Sequence, residues 1–394
     1  MILKVLYNII SMLSLFKVFM SSDVEQPVLN TLRSGFVTQG PRVEEFENAL
    51  KSYLETEHVL TLNSGTSGLT LALRILKDKK FVTEFWPGFN DDDVVLTPAL
   101  TCFATTSAIL ANGAKIRWLD TDLESPNIDL NDIRRKLSPK TKVIYIVHWG
   151  GCSVDLDELE KIKNECYERF GFRPMVVEDC AHAFGSTFNG KKIGSHGNIC
   201  VFSLQAIKSL STCDGGIITL PNKQMYDECK LLRWYGIDRD KRNYKGKDFR
   251  LENDITSSGY KFHMNDLNAT IGIHNLPHID RLLEKNRENA RFYDENLSNI
   301  PGIKCLPVNG EPSYWLYTIR VERKEEFINF MKDNNIMTSQ VHNRNDINSC
   351  VQDYNEELVN LDIIEKDLIC IPVGWWLERS DMEYILSKIR EFYC

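Results

Sequence analysis

Short apolar runs alternate with amphipathic stretches from Ser22 to about Leu220, which is typical of a parallel sheet covered by helices. The strand candidates are HVLTLN (58–63), DVVLTP (93–98), AKIRWLD (114–120), KVIYIVHW (142–149), PMVVED (174–179) and ICVFSL (199–204). Between them, TSGLTLALRIL, TCFATTSAIL and VDLDELEKIKNECYERF have the spacing of helices. The pattern therefore predicts an α/β fold with a mostly parallel central sheet.

The last third of the chain has a different pattern. The segment 278–297, HIDRLLEKNRENARFYDENL, predicts a long helix, and strand, helix and irregular segments follow it before a closing helix, SDMEYILSKIREF. We therefore expect a large domain over residues 21–275 and a smaller C-terminal α+β domain over residues 276–394.

Residues 1–20, MILKVLYNIISMLSLFKVFM, are mostly apolar, with Lys4, Asn8 and Ser11 at helical spacing. Polar residues interrupt the run, and no small-residue cleavage site follows it. We favour an N-terminal extension, either packed on the body or superfluous, and a signal peptide or membrane-surface anchor is the open alternative.

Composition narrows the class of partner. The formal net charge is -8 and the chain has no basic run, which argues against a nucleic-acid partner. The eleven cysteines include no CxxC pair, so reduced thiols in a cytoplasmic enzyme are favoured over a disulfide framework or a metal site. No other segment is long and apolar enough to span a bilayer, and no membrane partner is expected.

Polar groups follow the ends of several predicted strands, where open α/β sheets bind ligands. This edge would carry Asn63, Thr97, Asp179 and Ser203. Gly65-Thr66 opens a predicted helix, whose free N–H groups bind anions such as phosphate. An ordinary N-cap with a tight turn explains that segment equally well.

Asp179 and Lys208 raise a more specific hypothesis. A carboxylate at the end of a buried strand requires a cationic or hydrogen-bonding partner, which is either a pyridinium nitrogen or a structural group. A lysine in a cleft can form an imine with an aldehyde cofactor, although most lysines simply lie on the surface. Together with the helix start, these residues match the ring nitrogen, aldehyde and phosphate of pyridoxal phosphate.

Five segments in order resemble the DegT/DnrJ/EryC1/StrS sugar aminotransferases, over nearly the whole chain from about Ser22. They are SGFVTQGPRVEEFENAL, NSGTSGLTLAL, VVEDCAHAFGS, GSHGNICVFSLQAIKSLSTCDGG and GYKFHMNDLNATIGIHNL. The resemblance implies fold type I of the pyridoxal-phosphate-dependent transferases. It also implies a homodimer with shared active sites that acts on a nucleotide-linked keto-sugar with L-glutamate as amino donor.

The resemblance also implies individual roles. Lys208 would carry the imine and move protons, while the cofactor cycles between pyridoxal 5'-phosphate and pyridoxamine 5'-phosphate. Asp179 would pair with the ring nitrogen, and His182 would reach the ring oxygen or pack on its face, unless it is a core histidine. Gly65, Thr66 and Ser203 would hold the phosphate.

Two positions depart from the family pattern. Cys102 stands where many relatives have the aromatic residue that stacks on the cofactor, which leaves the stacking partner open, and Phe103 beside it is expected in the core. Lys261 replaces an asparagine that reaches the phosphate of the neighbouring subunit, and it can make that contact as a point charge. An exposed loop lysine is the alternative.

His342, Arg344 and Trp375 are candidates for contacts with the nucleotide diphosphate, a donor carboxylate, a sugar or a base, with surface packing as the alternative for each. VHWGG and HAFGS favour amination at C4, as in perosamine- and viosamine-type enzymes, over C3. A sugar 3-dehydratase is disfavoured because such relatives replace the imine lysine by histidine. A non-catalytic homologue is disfavoured because Asp179, Ser203 and Lys208 are all present.

Overall fold

The computed structural model describes residues 12–240 and 254–393. The first nine strands are β1 (Val59–Leu62), β2 (Val94–Pro98), β3 (Lys115–Leu119), β4 (Thr141–Val147), β5 (Met175–Asp179), β6 (Thr187–Phe188), β7 (Lys191–Lys192), β8 (Ile199–Ser203) and β9 (Gly216–Thr219). Seven of them form one sheet in the order β1-β9-β8-β5-β4-β2-β3, and β6 and β7 form a separate hairpin. All six predicted strands are therefore confirmed.

The central sheet is parallel from β3 to β8 and antiparallel where β9 pairs with β8 and β1. The sequence analysis missed β9. Its four residues, GIIT, begin with Gly216 directly after Gly215, so the strand contains only two consecutive large apolar residues.

Helices lie on both faces of the sheet. In chain order they are α1 (Glu25–Ser34), α2 (Pro41–Leu54), α3 (Gly65–Leu76), α4 (Phe103–Ala111), α5 (Leu130–Lys136), α6 (Leu156–Phe170), α7 (Lys223–Leu232), α8 (Asp266–Asn275) and α9 (Ile279–Leu297). Along β4, Val143 and Tyr145 join the core cluster that contains α3, whereas Ile144 and Ile146 join the cluster that contains α2 and α6. Because successive side chains alternate between the faces, a strand buried on both sides is apolar throughout.

The remaining elements surround a second sheet. They are β10 (Ile303–Cys305), β11 (Tyr317–Val321), α10 (Lys324–Asp333), α11 (Val359–Ile364), β12 (Leu368–Ile371) and α12 (Arg379–Tyr393). The three strands are antiparallel in the order β10-β11-β12, and they pack with α9, α10 and α12 around Tyr293, Phe327 and Ile385. The long helix and the closing helix are confirmed, and the domain boundary at 276 stays a prediction.

The described part of the N-terminal extension, residues 12–20, packs on the body. Leu13 pairs with Asn335 and Met337 through backbone hydrogen bonds of 2.8 and 2.9 Å. Leu15 is buried, and the next residue after the segment, Ser21, donates its N–H to Asn275 Oδ1 at 2.9 Å. Residues 1–11 lie outside the described residues. None of the described helices is long and apolar enough to cross a bilayer.

A buried ion pair joins α2, β1 and the end of α7. Glu47 Oε1 accepts hydrogen bonds of 2.9 Å from the N–H and the hydroxyl of Thr61. Arg233, which is only 2% exposed, donates to the same carboxylate and to Thr61 O at 2.9 Å. The carboxylate and the guanidinium therefore compensate each other's loss of water.

We expect Arg233→Met to lower the free energy of unfolding by about 3–5 kcal/mol, because it leaves the Glu47 carboxylate buried without its cation. Arg42→Met is the matched control, since Arg42 pairs with Glu45 at the exposed surface and should contribute less than about 1 kcal/mol. Urea unfolding followed by circular dichroism measures both. Equal losses in the two variants would contradict the assignment.

Candidate active site

Lys208 lies in a closed loop between β8 and β9. The loop is held by backbone hydrogen bonds of 2.9 Å from Lys208 N to Gln205 O and from Thr212 N to Leu204 O. The lysine Nζ lies 3.5 Å from the centroid of the Trp315 ring. Burial lowers the pKa of Lys208 to about 8, although the charge of Asp179 opposes the shift. A large fraction of this amine is therefore neutral and nucleophilic near pH 8.

Asp179 ends β5 and is 4% exposed. Its Oδ2 accepts a 2.7 Å hydrogen bond from the Thr105 hydroxyl, and its Oδ1 accepts one of 3.1 Å from Ala181 N. Burial raises the pKa of Asp179 even though both bonds and the charge of Lys208 favour the carboxylate. The site therefore suits a cationic group placed beside this carboxyl.

Glu178, the preceding residue, belongs to a separate network. Its two oxygens accept from His148 Nε2 at 2.8 Å and Asn198 Nδ2 at 2.7 Å, while His148 Nδ1 accepts the N–H of Val154 at 3.1 Å. Burial is the largest single influence on the pKa of Glu178 and raises it, but these hydrogen bonds together with electrostatic interactions with His148 and His196 make the net shift downward. The possible metal-ligand atoms of His148, Glu178 and Cys180 lie within 4.8 Å of one another. The hydrogen bonds described above already engage the ring nitrogens of His148 and the carboxylate of Glu178.

The start of α3 meets the end of β8. Ser64 caps the helix by accepting a 3.1 Å hydrogen bond from Ser67 N, and Thr66 in the first turn is exposed. A Cβ added to Gly65 would lie 3.2 Å from the Cβ of Ser203, so glycine permits this close approach. The structure thus brings Gly65 and Ser203 together beside the exposed Thr66, and anion binding at these residues stays a prediction.

His182 and His342 lie beside the lysine as neutral rings. His182 packs on Trp315 with ring centroids 4.0 Å apart, and its Nε2 lies 3.4 Å from His342 Nε2. Gly150 N donates to His182 Nδ1 at 3.3 Å, which assigns the His182 proton to Nε2. Burial and the charge of Lys208 lower the pKa of His182 well below its usual range and that of His342 to about 4.

The other predicted residues are more dispersed. Lys261 is exposed, and its carbonyl accepts a 3.3 Å hydrogen bond from Asn63 Nδ2. Trp375 is partly buried and lies edge-on to Phe19 at 5.4 Å. Thr97 is fully buried within β2.

The guanidinium of Arg344 is already engaged by carboxylates of neighbouring segments in the same chain. Its guanidinium donates to Asp346 at 2.7 and 2.8 Å and also pairs with Asp362 and Glu365. These carboxylates neutralise the charge that a diphosphate would need, so we leave Arg344 out of the proposed substrate contacts.

The expectation for Phe103 is wrong, because its side chain is 39% exposed rather than in the core. Phe103 and Thr105 are two residues apart near the start of α4 and therefore lie on opposite sides of the helix. Since Thr105 turns inward to Asp179, Phe103 faces outward.

The sequence analysis missed Thr105 and Trp315. Thr105 is separated from Asp179 by 74 positions, and Trp315 donates its indole N–H to Ile207 O across 108 positions. Nothing in the local pattern around either residue indicates these contacts.

Comparison with known proteins gives a consistent result. The model of the DegT/DnrJ/EryC1/StrS aminotransferase family matches residues 20–390. An uncharacterized protein of Methanocaldococcus jannaschii is 32% identical, and the match covers 84% of this chain and 83% of the relative. Two 28% identical relatives are a UDP-4-amino-4-deoxy-L-arabinose–oxoglutarate aminotransferase of Shewanella sediminis (92% and 94% covered) and a GDP-perosamine synthase of Escherichia coli O157:H7 (90% and 91%).

Solved structures show the same likeness. AtS13 from Actinomadura melliaura is 42% identical with a TM-score of 0.90, covering 96% of this chain and 98% of its own. The sugar aminotransferase CalS13 from Micromonospora echinospora is 39% identical with a TM-score of 0.90, covering 96% and 100%. Spr1654 from Streptococcus pneumoniae, in its PMP-form, is 26% identical with a TM-score of 0.83, covering 96% and 98%.

Thr105→Val should destabilise the protein at neutral pH by about 1.5–3 kcal/mol, because a charged, buried carboxylate loses a hydrogen bond. The folded-state pKa of Asp179 is raised, so protonation of its carboxyl stabilises the fold as pH falls through that pKa. The loss in the variant should therefore shrink toward acid pH. Urea unfolding across this range measures the effect.

Thr105→Ser keeps the hydroxyl and is the matched control, with a loss that should be smaller at neutral pH. A loss in Thr105→Val that does not change with pH would show that the valine disturbs packing rather than the charge of Asp179.

Proposed function

We propose, because the chain belongs to the DegT/DnrJ/EryC1/StrS aminotransferase family, that it transfers an amino group from L-glutamate to a nucleotide-linked 4-keto-6-deoxyhexose. The protein is a sugar aminotransferase that depends on pyridoxal phosphate. The observation that carries the proposal is the partly buried Lys208 together with the buried Asp179 at the edge of the sheet.

The residues present fit this cofactor. A helix start with a glycine against Ser203 suits its phosphate, and a partly neutral lysine suits its aldehyde. A buried carboxylate that accepts from a hydroxyl and a backbone N–H suits its ring nitrogen. We assign these roles to Gly65, Thr66 and Ser203, to Asp179, and to Lys208. When bound, the cofactor supplies an electron sink for cleavage of the bond to the α-proton.

Lys208 acts as nucleophile and proton carrier in this proposal. Its lowered pKa leaves the amine able to attack an aldehyde and later to accept or return a proton at the substrate carbon. Trp315 and the two histidines exclude water from this amine. The neighbouring rings also stay neutral near pH 7, so they neither compete for the proton nor repel a cationic lysine.

At the other end of the site, the Asp179 carboxylate would stabilise a positive charge on the ring nitrogen of the cofactor. Its carboxylate is oriented by Thr105 and Ala181, and a proton on a ring nitrogen beside it would offset its burial. His182 would contact the cofactor ring through its Nε2–H or its face. His342 and Trp375 remain the proposed substrate contacts.

Several features of the proposed reaction rest on similarity. L-Glutamate as donor agrees with a relative whose name includes oxoglutarate aminotransferase, and amination at C4 agrees with the similarity to a GDP-perosamine synthase. The presence of Lys208 disfavours a sugar 3-dehydratase. The identity of the nucleotide follows from neither argument, so assays should include dTDP-, UDP- and GDP-linked 4-keto and 3-keto sugars.

We further propose a homodimer in which Lys261 contacts the phosphate bound by the partner subunit. Lys261 is exposed, which leaves its ammonium free to reach a second subunit and supports this role. The contact would be a point-charge attraction rather than a bidentate one.

The purified protein, loaded with pyridoxal phosphate, should absorb visible light as a yellow species that L-glutamate bleaches with release of 2-oxoglutarate. The measurement is an absorbance spectrum before and after the amino acid is added, with D-glutamate as the control. A protein that stays colourless with added cofactor would contradict the cofactor site. A yellow protein that is indifferent to L-glutamate would contradict the donor.

Lys208→Ala should abolish turnover while it leaves the protein folded, because it deletes the nucleophile and proton carrier but little core. Lys163→Ala is the matched control, since burial also lowers the pKa of Lys163, which instead pairs with Glu160 on α6. Release of 2-oxoglutarate and circular dichroism measure the two effects. Full activity in Lys208→Ala would overturn the assignment.

The same variant tests the shared site. Mixed with an impaired Lys261→Ala protein under conditions that exchange subunits, Lys208→Ala should regain activity, because one site of each heterodimer then has both lysines. Native mass spectrometry shows whether mixed dimers form. If they form and activity does not recover, the sharing of Lys261 between subunits is contradicted.

A further inference from the structure

The N-terminal segment 12–20 reaches the surroundings of Lys208. Phe16 packs on Trp315 with ring centroids 4.8 Å apart and planes 23° from parallel. The chain is fixed just before Phe16: three residues earlier, Leu13 makes backbone hydrogen bonds to Asn335 and Met337, and two residues earlier, Ser14 O accepts the indole N–H of Trp376 at 3.2 Å. The position of Phe16 is therefore set by contacts on its N-terminal side as well as by its own ring.

Trp315 makes two contacts with the lysine segment. Its indole N–H donates to the carbonyl of Ile207, the residue before Lys208, at 2.8 Å. Its ring lies 3.5 Å from Lys208 Nζ, and the residue is only 7% exposed. One side chain thus fixes the backbone next to the lysine and faces the end of the lysine side chain.

We propose that Trp315 is a positioning residue for Lys208 and that Phe16 of the N-terminal segment holds the Trp315 ring in place. The inference rests on the proposed role of Lys208 as the residue that captures pyridoxal phosphate. It assigns to the segment 12–20 a part in the site that the motifs around Lys208 do not indicate.

The physical argument is restriction of a flexible side chain. A lysine has four rotatable bonds, and an amine held in one region attacks a bound aldehyde faster than one that samples many. The hydrogen bond to Ile207 limits the backbone, and packing of the amine against the Trp315 ring limits the side chain. Removal of Phe16 would leave one contact of the Trp315 ring empty, so the ring could shift away from the amine.

The effect of side-chain placement on the rate can be separated from an effect on the protonation of Lys208. Besides burial, the groups that act on the pKa of Lys208 are Asp179 and Cys102, and Lys208 in turn lowers the pKa of His182 and of His342. None of them is altered by substitutions at Trp315 or Phe16. The rate of cofactor capture measured against pH then gives two quantities, a midpoint that reports the pKa of Lys208 and a plateau that reports how well its neutral amine is placed.

The experiment uses cofactor-free full-length protein mixed with pyridoxal phosphate, with uptake followed by stopped-flow absorbance from neutral to alkaline pH. Trp315→Phe keeps an aromatic ring but removes the N–H donor to Ile207. Phe16→Ala removes the ring that contacts Trp315. Phe19→Ala is the matched control, because Phe19 lies in the same segment but packs against Trp375 and His278.

We expect the plateau rate to fall about fivefold in Trp315→Phe, the equivalent of one neutral hydrogen bond, and by a similar factor in Phe16→Ala. In Phe19→Ala the plateau should stay within about twofold of the parent protein, with a loss of thermal stability comparable to that of Phe16→Ala. Phe16→Leu replaces Phe16→Ala if the alanine variant does not fold.

Parent plateau rates in both Trp315→Phe and the folded Phe16 variant would overturn the inference. Equal reductions of the plateau rate in the Phe16 and Phe19 variants would also overturn it. Failure of the proposed function gives a different result. In that case the parent protein would not capture the cofactor, or Lys208→Ala would capture it at the parent rate.

Discussion

The burial of Asp179 at the end of β5 is the constraint around which the site is arranged. A carboxylate with 4% exposure must be compensated, and hydrogen bonds from Thr105 and Ala181 do not bring its pKa back to the ordinary value. The direction in which α4 begins follows from this need, because Thr105 has to face the carboxylate and Phe103 therefore faces outward. The remaining deficit of positive charge is what a protonated ring nitrogen would supply.

The two adjacent acids at the end of β5, Glu178 and Asp179, have different surroundings. Glu178 has both oxygens engaged by His148 and Asn198, and its pKa is lowered, whereas the pKa of the equally buried Asp179 is raised. Because consecutive strand residues point to opposite faces, the two carboxylates do not share a network. The structure can therefore saturate one acid and leave the other in need of a cation.

The sequence predicts elements and motifs better than contacts. Apolar runs identified six buried strands, but β9 did not stand out, because it begins with a glycine and has only two large apolar residues, Ile217 and Ile218. The motif around Lys208 located the lysine, and the strand-end rule located Asp179 and Ser203. Thr105 and Trp315 could not be found in this way, because each contacts its partner across 74 or more positions and neither has a distinctive neighbourhood in the sequence.

The low pKa of Lys208 is consequently a property of the tertiary structure rather than of its motif. The loop between β8 and β9 fixes the backbone of Lys208. The surface that buries its amine comes from elsewhere in the chain, from Trp315, two residues before β11, and from His182 after β5. Phe16 adds a contact from near the start of the described chain. Since desolvation is the largest cause of the shift, any change that lets water reach the amine should move its pKa upward even when every residue of the motif is intact.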